Sequence, residues 1–112
     1  MAEGDASHRS GDFLAAAAAF RRAIAIRETA EAQASLGRAL SDARQTDLAI
    51  AAFRRATVLD ASNGGAWLGL GEVFMTLGDP AGARVAYERY LAVEPGGRRA
   101  GEVRSVLARL RP

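Results

Sequence analysis

Groups able to relay a proton, hold a metal or attack a carbonyl are scarce in this chain of 112 residues. It has one histidine, His8, and no cysteine or lysine; all 15 basic side chains are arginines. No thiolate is available as nucleophile or ligand, and a lone imidazole assembles neither a nucleophile–base pair nor a metal cluster. The 13 carboxylates are scattered rather than paired, and His8 reads as an exposed surface residue. Gly69-x-Gly71 looks like the start of a phosphate-binding loop, but it sits on a helix face with no strand before it and no third glycine at the required distance. No cofactor, metal or small-molecule substrate is implied. The expectation is a protein that is not an enzyme.

Arginine offers recognition instead of catalysis. Arg98, Arg99, Arg104, Arg109 and Arg111 crowd the C-terminal stretch against the single acid Glu102, a pattern that phosphates or an acidic protein could answer. The plainer reading is a solvated helix whose last-turn cations offset the helix dipole. No aromatic residue accompanies them, which argues against binding single-stranded nucleic acid. A net charge of +2 demands no acidic partner.

These groups must be carried by helices. The chain is 49% apolar but holds only one Trp, two Tyr and four Phe, so its core is built from Ala, Leu and Phe, a composition for close-packed helices rather than a sheet. The apolar run Leu14 to Phe20 is far below the ~20 residues that span a bilayer. The N-terminus lacks the charged-then-apolar layout of a signal peptide. Cytoplasm is the default compartment, with no membrane partner.

Periodicity is clearest from Trp67 to Pro95. Trp67, Leu70, Gly71 and Phe74 share one helix face at i, i+3, i+4 and i+7. Gly78-Asp79-Pro80 then supplies a left-handed stop, an N-cap and a first-turn proline. A second helix follows with Ala83, Tyr87, Tyr90 and Leu91 on one side. Leu36, Gly37, Ala49, Phe53 and Ala56 precede Leu70, Gly71, Ala83, Tyr87 and Tyr90 at a constant interval of 34. Further back, Gly11-Asp12-Phe13 stands opposite Gly78-Asp79-Pro80, and Ala16, Phe20 and Ala23 opposite Ala83, Tyr87 and Tyr90.

This pattern resembles the tetratricopeptide repeat, W-x2-L-G-x2-Y followed by Ala, Phe and Pro over about 34 residues. Tyr90 departs from it, standing where the family prefers Ala. The resemblance implies an all-α, right-handed α-solenoid of about three helix-turn-helix units plus a C-terminal capping helix, in a single domain. Residues 1–29 would form a first repeat with a truncated first helix, 30–63 the second repeat, 64–97 the third and 98–111 the cap. Glu3 and Ser7 replace Leu70 and Phe74 in the first repeat, so its opening segment should fray. Arg44 stands where the turn glycine is expected, so either Arg44 is left-handed or the turn differs; Thr46 and Asn63 are the expected N-caps. In the cap, Ala100, Val103, Leu107 and Leu110 would cover the last apolar face. Truncating Trp67 or Phe53 to Ala should cost about 3–5 kcal/mol.

The family's use implies a protein-interaction scaffold that holds a peptide or helix of another protein in the concave surface of the first helices. On this chain that surface would carry His8 and Arg9, then Glu31, Ala34, Ser35, Arg38, Ser41 and Asp42, then Leu68, Gly69, Glu72, Met75 and Thr76. Leu68 and Met75 would give apolar contacts, Arg38 and Glu72 polar ones. Alternatively Leu68 and Met75 touch the C-terminal helix and Arg38 pairs with Glu72. Family members that grip a chaperone's terminal carboxylate use Lys, Asn and Arg at five concave positions; here those hold Met1, Asp5, Ser35, Gly65 and Gly69, which does not support that activity. Two other uses stand beside the groove. One is self-association through the incomplete N-terminal repeat; the other is capture of an acidic partner or nucleic acid by the C-terminal arginines.

Overall fold

Runs of alanine, leucine and arginine interrupted by single turn residues leave the backbone little choice but helix. The computed structural model describes the backbone of residues 2–110 and the side chains of residues 11–110. Six helices occupy the described residues: α1 (Ala2–Ile26), α2 (Ala30–Asp42), α3 (Thr46–Leu59), α4 (Gly64–Leu77), α5 (Pro80–Val93) and α6 (Ala100–Leu110). Each packs on its neighbour in sequence, and α2 also touches α4. That extra contact, between first helices of successive hairpins, is what makes the hairpins a stack rather than a string.

Glycines set the closeness of the packing. A Cβ at Gly37 would stand 2.8 Å from the Phe53 ring, and one at Gly71 would intrude on the Tyr87 ring in the same way. Gly37 and Gly71 are separated by the same interval of 34 as Phe53 and Tyr87. Each hairpin therefore lays the aromatic ring of its second helix on a bare patch of its first, with Ala49 or Ala83 fully buried nearby. Phe53 is 2% exposed and Tyr87 5%. Tyr90 takes the place of an alanine by directing its hydroxyl to the turn before α6, where it accepts a hydrogen bond from the Arg99 backbone N–H at 3.3 Å.

The turns repeat as faithfully as the core. Gly78 adopts φ 74°, its N–H reaching the Met75 carbonyl at 3.1 Å while that of Asp79 reaches Phe74 at 2.9 Å. Arg44 adopts φ 63°, and the Arg44 and Gln45 N–H groups reach Ser41 at 3.0 Å and Leu40 at 2.8 Å. Of the two turns open to Arg44, the chain takes the left-handed one, against the steric preference of a side chain bearing Cβ. Arg44→Gly should therefore raise the unfolding free energy by about 0.5–1 kcal/mol. A urea midpoint that stayed put or fell would show that Arg44 carries no strain.

Caps explain where helices start. Asn63 Oδ1 accepts from the Ala66 N–H at 2.9 Å and Asp79 Oδ1 from Gly82 at 3.0 Å. Thr29, which stands to Asn63 as Leu36 stands to Leu70, does the same for Ala32 at 3.1 Å. Thr46 does not cap α3: it is the first helical residue, and Gln45 occupies the N-cap without a side-chain hydrogen bond. The left-handed residue at 44 leaves one linker residue before the helix, as Gly78 leaves only Asp79, so Thr46 falls where Pro80 falls.

The expected break at Gly11-Asp12 is also absent. Both residues lie inside the 25-residue helix α1. Gly11 has no positive φ, Phe13 stands where a proline would enforce the turn, and the polar Glu3 and Ser7 give the preceding segment no apolar reason to fold back. On α1, Ala17 is buried and Phe20 and Ile24 pack on the core, whereas Ala23 is exposed. The equivalence with Ala56 ends there.

Candidate functional site

Between the first helices lies a cleft of about 400 Å³. Arg38, Ser41 and Asp42 come to it from α2, Gly69, Glu72 and Thr76 from α4, and Arg99 from the turn before α6; the edge of the Phe53 ring forms part of its lining. Phe53 reaches this surface because Gly69 has no side chain: a Cβ there would overlap the ring. The cleft is thus an apolar spot edged by two arginines and two carboxylates. Such a lining suits a segment of peptide that carries both charge and a hydrophobic side chain.

Electrostatics divide the two arginines. Arg99 donates from Nε to Glu102 at 2.9 Å and lies 3.6 Å from Glu72. Glu102 and then Glu72 stabilise its charged form and raise its pKa. Arg38 is exposed and, among the described residues, has no carboxylate partner. Of the two readings of Arg38, the alternative Arg38–Glu72 pair therefore gives way to Arg99–Glu72. Burial raises the pKa of the nearby Tyr87 hydroxyl, and the Glu72 charge adds to the effect.

Several expected groove residues lie elsewhere. Leu68 is 7% exposed and belongs to a buried cluster with Tyr87, Tyr90, Ala100 and Val103. The capping helix brings its own apolar face onto that cluster, which removes Leu68 from any partner. Ala34 packs against the core and Ser35 is half-buried. Glu31 and Met75 are exposed but do not line this cleft. His8, Arg9, Met1 and Asp5 lie outside the described side chains.

The C-terminal arginines do not form one outer patch. Arg99 turns into the cleft, and Arg104 donates to the Pro95 carbonyl at 2.7 Å, tying α6 to the end of the preceding hairpin. Arg98 and Arg109 are exposed, and Arg111 lies outside the described residues. Counting arginines in the sequence could not separate them, because Pro95, Gly96 and Gly97 set the angle at which α6 returns. Arg99 is the cleft residue that periodicity missed: it precedes α6 and belongs to no repeat position read from Trp67.

Helical hairpins stacked through shared aromatic–glycine contacts, closed by an amphipathic cap, define an all-α repeat solenoid. A family model for the tetratricopeptide repeat matches residues 34–100, and the chain belongs to that family. A comparison with curated proteins found no match. Tetratricopeptide repeats generally mediate protein–protein interaction and are typically non-catalytic. Among the described residues, no helix is long and apolar enough to cross a membrane.

Proposed function

We propose that the protein acts as a scaffold that holds a peptide or short helix of another protein in the cleft between α2 and α4. The observation that carries this reading is the lining itself: Arg38, Asp42, Glu72 and Arg99 around the Phe53 edge at Gly69. The exposed Arg38 guanidinium is placed to take a carboxylate, and Asp42 to take a basic group, so the fitting ligand carries both signs near an apolar side chain. Binding needs no nucleophile and no cofactor.

The test is an affinity capture with the intact protein beside an Arg38→Gln, Glu72→Gln variant, followed by peptide mapping of what is retained. Both positions are exposed, so the variant should fold normally, as circular dichroism would verify. Loss of the captured segment supports the cleft. If both proteins retain the same segments with equal strength, the binding surface lies elsewhere.

A further inference from the structure

Away from the cleft, two shallow grooves run between successive second helices. One lies between α1 and α3 over Gln33, Leu36 and Leu40; the other lies between α3 and α5 over Trp67, Leu70 and Phe74. Those floors correspond position for position at an interval of 34. Arginines flank both. Arg21 and Arg55 line the first, while in the second Arg54 lies over the Phe74 ring and Arg89 over the Trp67 ring, each 5.8 Å from the centroid.

The first groove supplies its own anion. Glu28 accepts from Arg55 Nε at 2.9 Å and Arg55 Nη2 at 2.7 Å, and Gln33 Nε2 donates to it at 2.8 Å. These hydrogen bonds, Arg55 first, hold the Glu28 carboxyl down at about 2. The lowered value means that the pairing stabilises the fold above the ordinary carboxylate range and fades as pH falls through about 2. In the second groove, one repeat further on, Arg89 replaces Arg55, Trp67 replaces Gln33, and Ser62 replaces Glu28. Ser62 has no charge to give, and its hydroxyl donates to Asp60 at 2.6 Å. Among the described residues neither Arg54 nor Arg89 pairs with a carboxylate.

The second groove is also the larger and more apolar. It encloses about 380 Å³ against about 280 Å³, because Gly82 stands where Leu48 narrows the first. Val85, 60% exposed on its wall, replaces Ala51. An apolar floor and wall between two cations that have only ring faces as partners is complementary to a hydrophobic side chain with acids beside it. Phosphates would answer the arginines but leave Val85 and the floor without a contact, so a protein segment fits better than a nucleic acid.

We propose that the groove between α3 and α5 docks an acidic amphipathic segment of a partner protein. It seats an apolar side chain against Trp67, Phe74 and Val85, and gives Arg89 a carboxylate as Glu28 gives one to Arg55. This surface is independent of the α2–α4 cleft, and the two can be filled together.

Trp67 lines this groove and is the only tryptophan, so its emission reports on the groove without interference from a second indole. The probe is a synthetic helical peptide with leucine at every third or fourth position on a glutamate-rich background. A counterpart with glutamine for glutamate and a single-stranded oligothymidylate serve as controls. Saturable change in Trp67 emission is expected with the glutamate peptide. Binding should weaken about tenfold or more with the glutamine peptide, or with the Arg89→Gln protein, and stay unchanged with Arg38→Gln, Glu72→Gln. The proposal is overturned by an unmoved emission spectrum, by equal binding of the two peptides, by full binding to Arg89→Gln, by weakening in the cleft variant, or by a response to the oligonucleotide alone.

Discussion

A Phe53→Ala protein should lose about 3–5 kcal/mol of unfolding free energy, a large share of what a domain with ~5–15 kcal/mol holds. The ring is 2% exposed and lies between glycines of two different hairpins, Gly37 on α2 and Gly69 on α4. Neither glycine has a side chain that can swing into the hole, and the helix backbones cannot close on it without shearing the stack. Removing the ring therefore cuts the fastening between second and third repeats as well as the contact within its own hairpin. Trp67→Ala should cost less than its size suggests. Its indole is half-buried, with Arg89 over one face and Nε1 donating to the Ala61 carbonyl at 2.8 Å, so part of its surface already meets water. Urea unfolding followed by circular dichroism would rank the two; a Phe53→Ala loss below about 1 kcal/mol would mean that the ring is not the fastening.

That ranking marks how far the sequence could be read. The interval of 34 located Phe53 and Tyr87 on equivalent glycines and put Arg44 in register with Gly78, because large, small and turn residues each leave a distinct mark on a helical pattern. It could not tell a sandwiched ring from a half-covered one. Phe53 and Trp67 are both aromatic residues on apolar faces; only the neighbouring helix decides that one is sealed by Gly69 and the other covered by an exposed guanidinium. Leu68 could be read either as a groove contact or as a contact of the C-terminal helix for the same reason, since its burial against α6 depends on where that helix lands after Gly96 and Gly97, and backbone angles at glycines are not written in side-chain periodicity. Arg99 entered the cleft through the same turn. At the other end, a Gly-Asp pair without a following proline proved too weak a stop when no apolar segment preceded it, and α1 ran on.

The sharpest consequence of the ring-on-glycine packing concerns Gly69, where one methyl group should act in two opposing ways. Alanine is favoured over glycine inside a helix by about 1 kcal/mol, and at Gly101 in the first turn of α6, where a Cβ would meet nothing within 4 Å, Gly101→Ala should realise part of that gain. At Gly69 the new Cβ would overlap the Phe53 ring, which has little room to retreat because it also lies close against the bare backbone of Gly37. Overpacking of a pinned ring costs about 1–3 kcal/mol, so Gly69→Ala should destabilise while the same change at Gly101 stabilises. If the clash is with Phe53, then a smaller side chain there must relieve it: Gly69→Ala should cost less in a Phe53→Leu background than in the native one, a coupling of about 0.5–3 kcal/mol in a double-mutant cycle. Additive losses would place the strain in the α4 backbone instead. Because Gly69 and the Phe53 edge also line the α2–α4 cleft, a peptide held there should lose affinity with Gly69→Ala and keep it with Gly101→Ala, which separates damage to the cleft from a general change in stability.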